Sequence, residues 1–199
     1  MRADGATRAA RVVYVNAALA LAAVGAAGCD RPDARDPASG SAAATGVAIA
    51  VGAPVPRYTV ATLAGDSVTV GVAGAPLTLM NVWATWCTSC REEMADLDTL
   101  HQRYAGRGLR VVAVSIDAGP TARVQRFAAG QRLSMAVAHD AEARIQSAFH
   151  VTGVPSTYLV DRDGRLRWMQ VGGIHGSAQA ARAAVEQTLA GDMSSAAGR

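Results

Sequence analysis

Two cysteines separated by two residues, Cys87 and Cys90, form the most reactive pair that the sequence offers. They follow an apolar, β-favouring run over Leu77–Ala84 and stand where the apolar spacing predicts a helix over Cys90–Ala105. The N-terminus of a helix has unpaired amide donors and partial positive charge, which together lower the pKa of a thiol placed there. The thiolate is the attacking species in disulfide exchange. The pattern therefore predicts a nucleophile at Cys87 and a resolving thiol at Cys90.

The same pair has two alternative interpretations, a structural disulfide and a metal site. A disulfide across two residues closes too small a loop to stabilise a fold much. A zinc site needs four ligands. The histidines that would complete one are scattered without a spaced pair: His101, His139, His150 and His175. We therefore interpret the pair as a redox centre with no metal, and with no cofactor beyond its own disulfide.

Glu93 is the candidate proton acceptor beside the cysteines. At roughly 100° per residue, Glu93 falls within the apolar stripe that Leu97, Leu100 and Tyr104 form on the predicted helix. Burial disfavours the charged form of a carboxylate and raises its pKa. One helical turn separates Glu93 from Cys90, so it is placed to take the Cys90 proton. The alternative is a partly exposed acid stabilised by the helix dipole.

The N-terminal segment, residues 1–28, is typical of a secretory signal. It has three arginines within its first eleven residues, then a short apolar run that ends in small residues. That run is short for a permanent membrane span and contains Asn16. The segment Ala26-Ala27-Gly28-Cys29 resembles a bacterial lipobox, which implies that Cys29 is lipidated and becomes the new N-terminus. Cleavage by an ordinary signal peptidase is the alternative.

The rest of the chain divides by composition into a linker, a domain and a tail. Residues 29–50 are rich in Ala, Gly, Ser, Asp and Pro and lack aromatics, so they are predicted to be a flexible linker. Residues 51–190 are predicted to fold, and residues 191–199 to form a disordered tail. Half of the chain is apolar, enough for a core. Net charge is +3, and removal of residues 1–28, with three Arg and one Asp, leaves about +1; with no basic cluster remaining, no nucleic-acid partner is expected.

Within the predicted domain, strands and helices alternate and end in a hairpin and a last helix. Strands are predicted over Tyr58–Leu63, Ser67–Val70, Leu77–Ala84, Leu109–Ile116, Ala136–Ala138, Ser156–Val160 and Leu166–Val171. Helices are predicted over Cys90–Ala105, Thr121–Gln131, Ala141–Phe149 and Gln179–Leu189. This order is typical of an α/β fold built as a layered sheet.

Several motifs together resemble the TlpA/ResA-type group of the thioredoxin superfamily. They are Trp83-Ala84-Thr85-Trp86-Cys87 with Cys90, Asn81, Glu93, Gly153-Val154-Pro155-Ser156-Thr157, and Asp161-Arg162-Asp163-Gly164. The resemblance implies a thioredoxin-like fold, with a central mixed β-sheet flanked by helices, an N-terminal β extension and a central insertion. The chain departs from the group at Ser89 and Ala95, where proline is common, and cytoplasmic thioredoxins carry a buried acid in place of Asn81.

The resemblance also assigns roles around the cysteines. It implies that Pro155 forms a cis-proline loop facing the disulfide, that Val154 offers its backbone to an extended substrate, and that Trp86 lines the active surface. It implies a reductase of exported, cysteine-containing proteins, including apocytochrome c, with an oxidase as the alternative. A copper-handling module is disfavoured, because such modules space their cysteines three apart and add a distal histidine.

The implied setting is the periplasmic face of the bacterial inner membrane. The expected partners there are exported proteins with cysteines, a membrane protein that donates electrons, and the membrane itself through a lipid on Cys29. A soluble periplasmic protein is the alternative if Cys29 is not lipidated.

Overall fold

A computed structural model describes residues 49–175 and 178–197 of the chain. The predicted signal segment, Cys29 and nearly all of the predicted linker lie outside these described residues. The strands are β1 Tyr58–Ala61, β2 Ser67–Val70, β3 Leu77–Trp83, β4 Leu109–Ser115, β5 Ala136–His139, β6 Ser156–Val160 and β7 Leu166–Val171. The helices are α1 Thr88–Tyr104, α2 Ala122–Gln131, α3 Arg144–Ala148 and α4 Ala178–Ala197, and a short 3-10 turn, Ala105–Arg107, follows α1.

The main sheet has five strands in the order β5-β4-β3-β6-β7. Strands β3, β4 and β5 run parallel, and β6 is antiparallel to both β3 and β7. Two units build it, β3-α1-β4 and β6-β7-α4, and α2, β5 and α3 are inserted between them. The hairpin of β1 and β2 forms a separate two-stranded sheet. This is the predicted thioredoxin-like fold, with its N-terminal β extension and its central insertion.

Strand β3 lies at the centre of the sheet, and all its residues are buried. Because both faces are covered, its sequence is a continuous apolar run rather than an alternating one. Leu79 and Trp83 pack on the side of α1 and α4, whereas Met80 and Val82 pack on the side of α3 and the β1–β2 hairpin. The loop that follows β3, and with it the cysteine pair, is therefore attached to the most deeply buried strand.

Three predicted helix ends differ from the structure by two residues or more. Helix α1 begins at Thr88 rather than Cys90, because Cys87 already caps it. Helix α3 begins at Arg144 rather than Ala141, since Ala143 has a left-handed φ of 51° and the Asp140 carboxylate accepts the Ile145 amide hydrogen. The third difference, at the end of α4, corrects a domain boundary.

The prediction of a disordered tail over 191–199 is wrong for residues 191–197, which continue helix α4 to Ala197. The helix was predicted to end at Leu189. In the structure, Asp192 Oδ2 lies 3.4 Å from Arg162 Nε in the turn between β6 and β7. This ion pair attaches the last part of the helix to the sheet.

Candidate active site

Cys87 and Cys90 form a disulfide at the start of α1, with their Cα atoms 5.3 Å apart. Cys87 is the N-cap residue, and its Sγ accepts the Cys90 amide hydrogen at 3.2 Å. This is a donor that the helix itself cannot pair, so it is available to stabilise negative charge on the Cys87 sulfur. Cys87 is 8% exposed and Cys90 is fully buried. An external reactant therefore meets Cys87 first.

The loop between β3 and α1 is held by a carboxylate that the sequence analysis did not identify. Asp117, only 1% exposed, lies just past β4 and accepts hydrogen bonds from the Thr85 amide at 2.8 Å and from the Thr85 hydroxyl. The Ser115 hydroxyl donates to it as well, at 2.7 Å. Burial alone would raise the pKa of Asp117, but these hydrogen bonds hold it below its usual value. The sequence feature that could have identified Asp117 is its position directly after a buried strand. That strand, β4, lies beside β3, which leads into the cysteines.

Glu93 is fully buried, as the helical periodicity predicts, whereas its neighbours Arg91 and Glu92 are exposed. Its Oε1 accepts from Asn81 Nδ2 at 2.7 Å, and its Oε2 accepts from the Ile174 amide at 2.8 Å. Burial raises the pKa of Glu93, and the two hydrogen bonds oppose that shift without cancelling it. The site thus contains a buried carboxylate, one turn from Cys90, that binds a proton more readily than an exposed glutamate.

The Val154–Pro155 peptide bond is cis, as the resemblance implies. The carbonyl of Pro155 accepts the Gly172 amide hydrogen at 2.8 Å. A Cβ atom built on the neighbouring Gly173 would lie 3.7 Å from Glu93 Oε2, 3.9 Å from Ser89 Cβ and 4.0 Å from Pro155 Cγ. Gly173 therefore marks the point where the proline loop, the cysteine segment and the buried carboxylate meet.

The remaining predicted residues lie around this junction. Trp86 is 64% exposed in the loop before Cys87, and Val154 is partly buried against the core. Val171, at the end of β7 and two residues before Gly173, is also exposed. The surface near the disulfide therefore offers apolar side chains to a partner.

The histidines stand apart from the cysteines in their contacts. His139 Nε2 lies 2.8 Å from the backbone oxygen of Asp117, and His175 Nδ1 lies 3.1 Å from Asp96 Oδ2. Among the described residues, no three His, Cys, Asp or Glu side chains are grouped so that they could hold a metal ion. Within the same part of the chain, no helix is long and apolar enough to cross a membrane.

Comparison with known proteins identifies one family and several relatives of this chain. Residues 51–169 match the AhpC/TSA family. The thioredoxin-like protein YneN of Bacillus subtilis is 32% identical over 128 residues, covering 63% of this chain and 74% of that protein. The thiol-disulfide oxidoreductase ResA of Geobacillus kaustophilus is 27% identical over 125 residues, covering 63% of this chain and 71% of that one.

This chain also resembles a solved structure of the same kind of protein. The thiol:disulfide interchange protein DsbE of Chlorobium tepidum superposes with a TM-score of 0.66 at 25% identity, covering 71% of this chain and 99% of that one. The fold, the cysteine pair and the relatives lead to one assignment. The chain belongs to the AhpC/TSA family, and within it to the thioredoxin-fold thiol-disulfide oxidoreductases of the ResA and DsbE type.

Proposed function

We propose that this oxidoreductase works outside the cytoplasm, where it reduces disulfides in exported proteins, among them apocytochrome c before haem attachment. The observation that carries the proposal is the disulfide at the start of α1, in which Cys87 retains a small exposed area and Cys90 is fully buried. A pair arranged in this way can attack a partner through one sulfur and close on itself through the other.

The proposed reaction moves two electrons from the cysteine pair to the substrate. The Cys87 thiolate attacks one sulfur of a substrate disulfide; a mixed disulfide forms, and the other substrate sulfur leaves as a thiolate. Cys90 then loses its proton to Glu93 and attacks Cys87 Sγ. The mixed disulfide breaks, the second substrate sulfur leaves, and the Cys87–Cys90 disulfide is restored. The substrate ends reduced and the enzyme oxidised.

Substrate binding is proposed at the surface beside Cys87. Trp86 and Val154 offer apolar contacts, and the loop at Pro155 offers backbone groups to an extended segment of the substrate. The proposal is supported by the exposure of Trp86 and by the packing of Pro155 near Ser89 and Glu93 around Gly173.

The proposed setting is the periplasmic face of the bacterial inner membrane. There a lipid on Cys29 attaches the protein, and a membrane protein donates the two electrons that reduce the Cys87–Cys90 disulfide after each turnover. Support comes from the signal-like residues 1–28 and from the lipobox-like end of that segment.

Trapping experiments test the assignment of the two cysteines. Cys90→Ser removes the resolving thiol, so mixed disulfides with substrates should accumulate through Cys87. Cys87→Ser removes the nucleophile and should trap little. Non-reducing gels followed by mass spectrometry of the linked peptides measure both variants. Stronger trapping by Cys87→Ser would reverse the assignment.

The direction of the reaction is tested by the reduction potential of the Cys87/Cys90 couple. A reductase should have a potential near that of thioredoxin, about −270 mV, whereas isomerases and oxidants lie at about −180 mV or above. Equilibration with glutathione or dithiothreitol buffers measures the value. A potential above about −180 mV would favour the oxidase instead.

A further inference from the structure

Asn81 binds the buried carboxylate from the central strand of the sheet. Its side chain is fully buried, and its Nδ2 donates to Glu93 Oε1 at 2.7 Å and to Thr157 Oγ1 at 3.0 Å. Its buried Oδ1 has no hydrogen-bond partner among the described residues. The amide is therefore oriented by the two groups to which it donates, and one of these is the carboxylate beside Cys90.

We propose that Asn81 is a positioning residue that keeps the Glu93 carboxylate ionised and available as the proton acceptor for Cys90, and that Thr157 orients the Asn81 amide for this task. The inference rests on the proposed role of Glu93 in disulfide exchange. It adds two residues that act on the exchange reaction through Glu93.

The physical basis is a balance between burial and hydrogen bonding. Full burial favours the neutral acid, and a Glu93 that kept its proton at neutral pH would not serve as a base. Hydrogen bonds donated to a carboxylate favour the ionised form. Asn81 supplies one such bond, and the Ile174 amide supplies the other. Of the nearby charged groups, His175 lowers the pKa of Glu93 and Asp96 raises it, both by less than the hydrogen bonds do. Loss of the Asn81 donor should therefore move Glu93 toward the protonated state.

Thr157 fixes which end of the amide faces the carboxylate. It is fully buried on β6, opposite Asn81 in the register of β3 and β6. Because its Oγ1 accepts one of the two Nδ2 hydrogens, the other hydrogen points at Glu93. With the hydroxyl removed, the amide has one partner instead of two and is oriented less firmly.

Two substitutions that keep the side-chain shape test the proposal. Asn81→Leu removes the donor, and Thr157→Val removes the hydroxyl but leaves Asn81 in place. Thr78→Val is the matched control, because Thr78 is also fully buried, but its hydroxyl donates to the Pro76 carbonyl at 2.9 Å and not to the site. If Asn81→Leu does not fold, Thr157→Val still carries the test.

The direct measurement is the titration of Glu93 by carbon-13 NMR of glutamate carboxyl groups in the reduced protein. The spectrum is simple, because the chain's glutamates are Glu92, Glu93, Glu142 and Glu186, and the signal that Glu93→Gln removes identifies Glu93. One lost hydrogen bond to a charged group should raise the titration midpoint by about one pH unit in Asn81→Leu. Thr157→Val should shift it less in the same direction, and Thr78→Val should not shift it.

The kinetic measurement is the rate at which Cys90 resolves a mixed disulfide preformed on Cys87, followed across pH. In Asn81→Leu the rate should fall by up to about tenfold near neutral pH and recover at higher pH, with its midpoint moved as far as the NMR midpoint. An unchanged Glu93 titration would overturn the proposed role of Asn81 but not the proposed role of Glu93, even if the variant were less stable. A shifted titration with an unchanged rate would overturn the role of Glu93 and the proposal with it.

Discussion

Glu93 is a buried carboxylate whose surroundings shift its pKa in two opposite directions. Burial raises its pKa, while Asn81 and the Ile174 amide donate to both of its oxygens. A base is most useful when its pKa lies near the working pH, and such opposing effects are how proteins bring a carboxyl group there. The side chain therefore suits proton transfer better than an exposed glutamate does.

Removal of the Glu93 charge should change the titration of both thiols. Glu93→Gln keeps the side-chain volume but removes the negative charge, so both thiols should titrate at lower pH, because a nearby carboxylate disfavours a thiolate. Disulfide exchange should slow by up to about 100-fold where transfer of the Cys90 proton limits it. Alkylation rates and stopped-flow exchange across pH measure the two effects. The control is Glu92→Gln, at the exposed neighbouring residue, which should change neither the thiol titration nor the exchange rate. If the two variants behave alike, Glu93 takes no part in the reaction.

The same substitution predicts a change in how stability depends on pH. Because the folded-state pKa of Glu93 is raised, its contribution to stability is fully present below the unfolded pKa and is lost as pH rises through the folded pKa. Glu93→Gln removes this loss. The free energy of unfolding of the variant relative to the wild type, from urea titrations, should therefore increase as pH rises from about 4, near the unfolded pKa of a glutamate, through the folded pKa of Glu93. A difference that is flat with pH would mean that Glu93 has the same pKa folded and unfolded.

At the scale of elements, the active-site loop depends on the strand beside it. Asp117 follows β4 and holds Thr85 through its amide and its hydroxyl, and the Ile116 amide donates to the Trp83 carbonyl at 2.9 Å. The end of β4 thus fixes the chain between β3 and α1. This is the segment that sets where Cys87 caps the helix.

We expect Asp117→Ala to destabilise the protein and to loosen this loop. Two donors on Thr85 and one on Ser115 lose their buried acceptor, so the free energy of unfolding should fall by about 3 kcal/mol. Thr85→Ala removes only one of these bonds and should cost about 1 kcal/mol. Urea denaturation measures both free energies of unfolding. The yield of mixed disulfide trapped through Cys87 in a Cys90→Ser background measures whether the loop still positions Cys87. Equal costs for the two substitutions would show that the Asp117 carboxylate contributes nothing beyond the Thr85 hydroxyl.

How much of these elements the sequence predicts depends on the range of the contacts that define them. Strands β2, β6 and β7 have the predicted bounds, because turn residues beside each strand mark where it ends. The burial of Glu93 was also predictable, since it follows from helical periodicity within α1. The end of α4 was not, because it depends on the contact between Asp192 and Arg162.

The partners of the candidate site residues were the least predictable feature. Thr85 and Asp117 are 32 residues apart, and Glu93 and Ile174 are 81 apart. No local pattern connects such pairs. The resemblance named the cysteines, Asn81, Glu93 and Pro155, but only the folded chain shows that Asn81 and the Ile174 amide donate to the carboxylate and that Asn81 also donates to Thr157.

Where the folded domain works depends on its charge and on the residues that precede it. Residues 29–199 together carry a net charge of only about +1, so charge gives them little attraction to a membrane surface. Attachment would then depend on the residues before the domain. Acyl chains contribute about 0.8 kcal/mol per buried CH₂ group, and stable anchoring needs more than one chain. A linker of the length of residues 29–50 would span about 25 Å as a random coil, enough to keep the domain close to the bilayer.

The lipid anchor can be tested by expressing residues 1–199 in a Gram-negative host. Wild-type protein should fractionate with membranes, and mass spectrometry of its mature N-terminus should find Cys29 carrying lipid. Cys29→Ser should release the protein to the soluble fraction or leave it unprocessed, because the lipid-bearing sulfur is gone. Cys87→Ser also removes one thiol, yet it should stay with the membranes, so the two variants separate anchoring from redox chemistry. An unmodified Cys29, or a mature protein that begins elsewhere, would show that ordinary signal cleavage gives a soluble periplasmic protein.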